Sequence, residues 1–410
     1  MLIVFIALLF QIGLQFSSNM IVSFIFNYID EVIAAVFLIY IVFKLLGHYH
    51  LRPFDRKIMV VGGVFLTWGL ISSIVVHIQT ASAIVLDFFT CAKFLIGYFG
   101  VRIWLDGKEK GYLRKNLNGI CRLLAVLFFV LAVHDEFMTP FFPVGQQRYF
   151  GVSIILMFVH PTYLAAAGSI ILVVLAASNE KKDNVPYMVM ISAVILLTFR
   201  SKAIAFVAVF WGLIILISVL KVRNKYIFMV FGVTVAAYLG YDQIMTYYFT
   251  TRWSARAVML ADAFKLANKY FPLGAGYASF GTNMSVRSYS TIYNQLGYNT
   301  IYGMGGGNAA YLNDGLWQAV IGQFGWIGLA LFVWLIILFL RIAFKFKAER
   351  VGFFTYDAII SLNLFFVISS LGEMAYFAPF ALLMFMVMAM IVTENESLIH
   401  GEEKKSGRTL

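Results

Sequence analysis

Residues 58–104 read IMVVGGVFLTWGLISSIVVHIQTASAIVLDFFTCAKFLIGYFGVRIW, and this stretch decides the fold. It contains two apolar runs, 58–78 and 83–104, joined by the short connection 79–82. Each run is close to the ~20 residues that a helix needs to cross the hydrocarbon core of a membrane. Basic residues precede the first run and follow the second, which is the pattern of cytoplasmic ends. The stretch therefore predicts two antiparallel membrane-spanning helices.

The composition of the whole chain extends this pattern. Its 410 residues are 61% hydrophobic and 12% charged, with a mean hydropathy of +0.86. A soluble domain of this length needs more polar surface, so we predict an all-α, polytopic membrane bundle forming one domain over residues 1–410. The net charge of +11 lies mostly in short bursts between apolar runs, which is typical of topology signals and not of nucleic-acid binding. Cys91 and Cys121 lie in apolar runs, so no disulfide framework or metal-ligand cluster is predicted.

The apolar runs predict about twelve membrane-spanning helices. They centre on residues 2–17, 31–46, 58–78, 83–104, 118–134, 161–178, 187–199, 203–220, 226–248, 317–340, 353–371 and 376–393. Residues 17–27 are too interrupted to count as a span and are placed at the interface. The first run lacks a basic n-region and a cleavage site, so it is interpreted as a retained span. Residues 394–410 are polar and are expected to form a solvated cytoplasmic tail.

The orientation follows from basic clusters that fall on alternate connections. These clusters are Arg52/Arg56/Lys57, Lys108/Lys110/Arg114/Lys115, Lys181/Lys182, Lys221/Arg223/Lys225, Arg341/Lys345/Lys347/Arg350 and Lys404/Lys405/Arg408. The positive-inside rule places them, and both termini, in the cytoplasm. The outer connections are then 79–82, 134–160, 200–202, 249–316 and 372–375. The long loop 249–316 is the largest, and long loops in compact proteins are usually functional.

Arginines in the long outer loop indicate an anion site. Arg252, Arg256 and Arg287 lie there against the usual scarcity of outer basic residues. Ser254 is expected to cap a helix that runs to about Tyr270, with Arg256 in its first turn, beside unpaired N–H groups and the positive dipole end. The expected apolar stripe of this helix comprises Trp253, Leu260, Phe264, Ala267 and Phe271, with Lys265 and Lys269 facing water. The alternative is an interfacial helix whose arginines contact lipid head groups.

Other charged residues are predicted near the outer ends of spans. Arg200 and Lys202 lie in a very short connection, where charges pair, line a cavity or extend to lipid head groups. His160 precedes Pro161 at the start of the sixth span, as a substrate contact or as a satisfied interfacial residue. Asp314 and Glu373 are each interpreted as a general base or as an arginine partner, and Asp135/Glu136 also face outward. For Asp87 and Lys93, inside the fourth span, an ion pair and a place in the cavity both stay open.

Several motifs in order resemble a known family over roughly residues 145–340. They are Arg148, Gly151 and His160-Pro-Thr-Tyr-Leu-Ala165; Thr198-Phe-Arg-Ser-Lys202; Arg252, Arg256 and Phe271-Pro-Leu-Gly-Ala-Gly-Tyr277; Asn308-Ala-Ala-Tyr-Leu312; and Gln323-Phe-Gly-Trp-Ile-Gly328. Together they resemble the Wzy-type polysaccharide polymerases and the related O-antigen ligases. Many relatives have histidine before the asparagine of the fourth motif, where this chain has Gly307. That departure weakens the ligase interpretation and removes the obvious base.

The resemblance implies a multi-pass protein of the bacterial cell membrane with a GT-C-like helical bundle. It implies an oligosaccharide on undecaprenyl pyrophosphate as donor, a second lipid-linked repeat unit as acceptor, membrane lipid as surroundings, and no metal or other cofactor. A chain-length regulator and a flippase are the expected protein partners, and no nucleic acid is. The pyrophosphate-binding role falls to Arg148, Arg200, Arg252 and Arg256, less directly to Arg287, with Lys202 beside them. Asp314, His160 and Glu373 are the candidate catalytic groups.

Three other functions stay open from the sequence. A flippase or exporter of lipid-linked oligosaccharide is also commonly built from many spans, but it predicts pseudo-symmetric halves, and no repeat is visible. A ligase transfers finished polymer to another acceptor. A non-catalytic assembly partner makes no polymer unaided. A nucleotide-dependent enzyme is disfavoured, because neither glycine-rich run is followed by the Gly-Lys-Ser/Thr of a phosphate loop.

Overall fold

The computed structural model describes residues 1–14, 20–106, 116–148, 151–178, 183–216, 254–345 and 353–406, with single positions between them. The described chain is predominantly helical. Its longer helices are α1 (Leu2–Leu14), α2 (Met20–Leu46), α3 (Pro53–Val76), α4 (Ala81–Leu105), α5 (Asn118–Phe137), α6 (Pro161–Ala177), α7 (Val185–Leu197) and α8 (Ser201–Ile214). They continue with α9 (Ala255–Lys269), α10 (Asn283–Arg287), α11 (Thr291–Gln295), α12 (Leu316–Lys345), α13 (Phe353–Ser369) and α14 (Pro379–Ser406). Strands β1 (Gln147–Arg148) and β2 (Gly151–Val152) pair antiparallel as a small hairpin.

Long apolar helices support the prediction of a helical membrane protein. Among the described residues, four helices are long and apolar enough to cross a membrane, namely α3, α4, α12 over Leu316–Ile342 and α14 over Pro379–Glu396. Shorter apolar helices are α1, α6, α7, α8 and α13. The predicted span at 226–248 falls largely outside the described residues.

Two helices extend beyond the bounds that the sequence predicts. Helix α2 begins at Met20, so it includes most of the stretch that was placed at the interface. Its polar residues Ser23 and Asn27 hydrogen-bond within the helix, which offsets the cost of their polarity. The predicted tail at 394–410 instead continues α14 to Ser406, and Asn395 and Glu396 are buried. Glu396 is buried because it pairs with Arg102 of α4.

Helix α4 lies against α14 and α2 through glycines. A Cβ on Gly97 would lie 2.6 Å from the Leu382 carbonyl oxygen of α14, and one on Gly100 would lie 2.7 Å from the ring of Phe37 in α2. Such contacts exist only because glycine lets two helices approach closely. The pairing places α4 and α14 at the centre of the apolar core.

Helix α12 is broken at Gly325, where φ is 63° and ψ is −166°. The loop that follows α9 fills the gap. The N–H of Ala275 donates to the Gly322 carbonyl at 3.0 Å, and the N–H of Gly276 donates to the Gln323 carbonyl at 2.8 Å. Non-helical backbone inside a membrane protein is tolerated where neighbouring groups satisfy it in this way.

The same loop is held by α3 and α4. Ser73 Oγ accepts from the Tyr277 N–H at 2.8 Å, and Asp87 Oδ2 accepts from the Ala278 N–H at 2.6 Å. Gln323 Nε2 donates to the same Asp87 oxygen at 2.9 Å. Asp87 therefore anchors the loop. It neither pairs with Lys93 nor lines the cavity described below.

Lys93 has different partners. Its Nζ lies 2.5 Å from Asp30 Oδ2 and 2.6 Å from Glu31 Oε1, both on α2. Gln11 of α1 donates to the other oxygen of Asp30 at 2.5 Å. This cluster ties α1, α2 and α4 together inside the bundle.

The described part of the outer loop has an apolar cluster of its own, built on α9. The N–H of Ala257 donates to Ser254 Oγ at 3.2 Å, which confirms the predicted cap. The predicted apolar stripe is right only in part, because Ala267 is buried whereas Phe264 and Phe271 are exposed. The face that is buried carries the residues Met259, Ala263, Leu266 and Ala267. The buried face differs from the predicted face because α9 packs against α12 and the Tyr293–Tyr298 pair, and not against a flat membrane interface.

Candidate functional site

One cavity of about 510 Å³ brings together most of the predicted site residues. Its walls come from the start of α6, the start of α8, the start of α9, the segment before α12 and the turn between α13 and α14. The predicted residues that line it are His160, Arg200, Lys202, Arg256, Asp314 and Glu373. These residues are far apart in sequence, so the fold assembles a charged cavity from five segments.

The turn between α7 and α8 carries two of the cations. Helix α7 ends at Leu197 and α8 begins at Ser201, so residues 198–200 form the whole connection. Phe199 takes up the reversal with a φ of 47°, in the left-handed region. Arg200 is the N-cap residue of α8 and Lys202 is in its first turn. The tight turn therefore fixes both cations at the connected ends of α7 and α8.

His160 contacts Arg200 directly. Its Nε2 lies 2.7 Å from Arg200 Nη2, and its Nδ1 lies 3.3 Å from the Thr162 N–H. A guanidinium only donates hydrogen bonds, so Nε2 is the acceptor in this contact. His160 thus orients Arg200, and its Nε2 is occupied by the guanidinium while it does so.

Lys202 forms an ion pair with Glu373, from the turn after α13. Only Oε2 of the carboxylate takes part. Glu373 Oε1 is buried and has no hydrogen-bond partner among the described residues. A buried acceptor without a donor is costly, so this oxygen is ready to accept a hydrogen bond from a ligand.

Arg256 lies between two segments, in the first turn of α9. Its Nη2 is 3.5 Å from Asp314 Oδ2 and donates to the Gly372 carbonyl at 3.3 Å. The ion pair is long, and the Asp314 side chain is 41% exposed. Burial raises the pKa of Asp314 above its ordinary value, and the charge of Arg256 only partly opposes this. The guanidinium is therefore held by a carbonyl and a weak pair, and an anion can replace the weak pair.

The balance of charge in the cavity favours an anionic ligand. Among the described lining residues, three cations face two carboxylates, which leaves one net positive charge. Polar side chains complete the wall, with Gln146, Thr162, Thr282, Asn283, Tyr311 and Asn313 among them. Several phosphate oxygens need several donors, and this wall offers guanidinium, ammonium, amide and hydroxyl groups.

Of the three other predicted arginines, the structure describes the side chain of one, Arg287. Arg287 is exposed at the end of α10 and does not line the cavity. The short α10 turns its last residue to the surface, whereas Thr282 and Asn283 at its start face the cavity. Arg148 is in β1, two residues after the lining residue Gln146, and its side chain is outside the described residues. Arg252 also lies outside them.

The sequence did not predict the amide groups of the site. Asn313 Nδ2 donates to Asn283 Oδ1, which joins the loop before α12 to the start of α10. Both residues line the cavity. The available signal was the position of Asn313 beside Asp314, in a loop that also carries the Asn308–Leu312 motif.

No protein-family model matches the chain, and no curated protein matches it at a significant level. The long apolar helices and the cation-lined cavity indicate a helical membrane protein with a site for an anion. Its function is inferred from the geometry of that cavity.

Proposed function

We propose that this protein polymerises undecaprenyl-pyrophosphate-linked oligosaccharide repeat units into a surface polysaccharide. The observation that carries the proposal is the convergence of Arg200, Lys202 and Arg256 in one cavity with two carboxylates. These are the groups that a glycosyl transfer with a pyrophosphate leaving group needs. The growing chain would move as a block from its lipid carrier to a new lipid-linked unit.

The cations act on the leaving group. As the anomeric C–O bond breaks, its electron pair goes to the pyrophosphate oxygen, where negative charge develops. Arg200 and Arg256 bind phosphate oxygens, and Lys202 adds a point charge. These groups are positioned before the reaction, so they stabilise the charge without reorganising. Asp314 and Glu373 neutralise part of the cavity until the anion binds.

Asp314 is the best placed proton acceptor. An acceptor hydroxyl attacks the anomeric carbon, forms the new C–O bond and gives its proton to the carboxylate. Asp314 is the more exposed of the two carboxylates, and its 3.5 Å pair with Arg256 is easily released when Arg256 turns to phosphate. Its raised pKa strengthens it as a base at neutral pH. Glu373 positions Lys202, and His160 positions Arg200.

The finer architecture belongs to the same proposal. We place about twelve spans in a bacterial cell membrane, with both termini cytoplasmic and the cavity at the outer face, in a bundle of the GT-C kind. Lipid-linked donors reach that face after a flippase has moved them, so no nucleotide site is required. A chain-length regulator is the expected second partner.

Reconstitution tests the activity. Purified protein in liposomes is supplied with undecaprenyl-pyrophosphate-linked repeat units, and the products are separated on a gel. Arg200→Ala and Arg256→Ala should each reduce polymer formation by about 100-fold or more, as the loss of one transition-state donor does elsewhere. Single repeat units should accumulate.

Arg287→Ala is the matched control, because it removes an outer arginine that does not line the cavity. It should leave polymer lengths unchanged. Wild-type polymer from both cavity variants would refute the arginine mechanism. Transbilayer movement of the lipid-linked unit without polymer would identify a flippase, and activity only with a different acceptor would identify a ligase.

A further inference from the structure

A second groove lies at the opposite end of α12 from the anion cavity. It has a volume of about 400 Å³ and is formed by the start of α3 and the last third of α12. Its lining residues are Arg56, Lys57, Val60, Val61, Trp334, Leu338 and Arg341. Leu316 and Arg341 are separated by about 35 Å at the helical rise per residue. The groove is therefore separate from the proposed catalytic site.

Helical spacing gives the groove a charged end and an apolar end. On α12, Trp334, Leu338 and Arg341 follow one another at about one turn each. On α3, Arg56 and Val60 have the same spacing. The two helices run antiparallel, because Trp68 contacts Phe324 farther along the same seam. All three cations thus gather at one end, and apolar side chains extend toward the middle of the helices.

The cations are available for a ligand. Arg56, Lys57 and Arg341 are exposed, and none has a side-chain hydrogen bond or ion pair to another described residue. Among the described residues, no acidic side chain lines the groove. The nearby Arg52, by contrast, is committed to Asp106 at 3.2 Å and to Glu396.

The apolar part is shaped as a channel. Val61 and Leu338 are buried at its floor, while Val60 is 57% exposed and Trp334 is 51% exposed at its sides. A soluble anion would leave this part empty. A molecule with a phosphate at one end and a hydrocarbon chain at the other fills both parts.

We infer that this groove binds an anionic phospholipid of the cytoplasmic leaflet. The phosphate lies on Arg56 and Arg341, with Lys57 beside it, and an acyl chain runs along Val60 and Trp334. Basic pockets between membrane helices on the cytoplasmic side are suited to such head groups. A guanidinium group can donate two parallel hydrogen bonds to phosphate oxygens. The ring of Trp334 packs against the acyl chain.

The proposed lipid site lies on the two helices that hold the inserted loop. Helix α3 carries Ser72 and Ser73, which hold the loop inserted at the break of α12. A lipid that bridges α3 and α12 stabilises the pair of helices on which this loop depends. Binding of the lipid should therefore raise the unfolding temperature of the protein, whatever catalytic activity the protein has.

Thermal unfolding in nanodiscs tests the site. Wild-type protein should unfold several degrees higher in discs that contain phosphatidylglycerol than in discs of phosphatidylcholine alone. The variant Arg56→Ala/Lys57→Ala/Arg341→Ala should lose that difference. Lys44→Ala is the matched control, since it removes an exposed cation at the end of α2 outside the groove, and it should keep the difference.

A second measurement does not depend on the triple variant. Trp334→Phe keeps all three cations, and tryptophan fluorescence is compared in lipids with brominated chains. Brominated phosphatidylglycerol should quench the wild type more than brominated phosphatidylcholine does, and Trp334→Phe should abolish the excess. Equal quenching by the two lipids would overturn the proposal. Stabilisation by inorganic phosphate in phosphatidylcholine discs, equal to that by phosphatidylglycerol, would also overturn it in favour of a soluble anion.

Discussion

At the scale of single residues, the site is a set of charges that restrain one another. Lys202 is held by Glu373, Arg200 by His160, and Arg256 by Asp314 and a carbonyl. The sequence predicted these charged residues because charges near hydrocarbon are rare and need a reason. It did not predict which carboxylate pairs with which cation, since that choice depends on the turns at 198–200 and 370–374.

The pH dependence of stability should reveal the strained carboxylate of Asp314. Burial raises the pKa of Asp314 in the folded protein. In the unfolded chain the pKa of an aspartate is about 3.9, so the folded state binds the proton more tightly. The contribution of protonated Asp314 to stability is fully present at a pH below the pKa of the unfolded state. It is lost as the pH rises through the pKa of the folded state. Asp314→Asn should therefore unfold at a higher temperature than the wild type at neutral pH.

The measurement is a series of thermal unfolding curves from neutral to acidic pH. The gap between Asp314→Asn and the wild type should narrow as the pH falls. A gap that widens toward acid would show that the carboxylate is stabilised by Arg256 more than it is destabilised by burial. Polymer formation by Asp314→Asn should be lost over the whole range.

A substitution at Gly276 tests how the loop after α9 packs against α3. Its φ is +86°, and a Cβ there would lie 2.6 Å from the Ser73 Cα. Gly276→Ala should cost about 1–2 kcal/mol for the left-handed backbone alone, and more for the contact with α3. Thermal unfolding of the purified protein measures the loss.

Gly307→Ala is the control, because a Cβ at that position meets nothing within 4 Å. It should leave the unfolding temperature within one or two degrees of the wild type. Equal stability of the two alanine variants would show that the loop does not pack against α3 as described.

At the scale of helices, hydropathy predicted most of the elements, because an apolar run of about 20 residues has few alternatives to a helix. The break in α12 was not predicted. Gly325 lies in a stretch whose hydropathy predicts one continuous span, and the loop that enters the gap stabilises its conformation. The buried face of α9 was also missed, since the periodicity of a helix does not say which neighbour it will meet.

The pairing of α3, α4 and α14 gives an element-scale prediction. Arg102 Nη2 lies 2.6 Å from Asp55 and 2.7 Å from Glu396, and its Nη1 donates to Thr393. Arg102→Met would leave two buried carboxylates facing each other, at a cost of about 3–5 kcal/mol. Combining it with Asp55→Asn and Glu396→Gln should recover most of that loss. Chemical unfolding in detergent measures both, and a combined variant no more stable than the single one would refute the pairing.

At the scale of the whole molecule, the basic clusters predict the orientation. Single-cysteine labelling tests it directly, because both natural cysteines are buried. Lys265→Cys on α9 should react with a membrane-impermeant maleimide in intact cells, since this side chain is 73% exposed. Lys44→Cys at the end of α2 should react only after the cells are opened. The reverse pattern would place the cavity in the cytoplasm and exclude a polymerase that uses outward-facing donors.

The broken helix also sets an order of events during synthesis. Ala275 and Gly276 hydrogen-bond to carbonyls at residues 322 and 323, so their partners leave the ribosome some 47 residues later. Until residues 322 and 323 have been synthesised, the loop lacks the carbonyl groups to which it hydrogen-bonds. The cavity is completed later still, once the turn that carries Glu373 has followed.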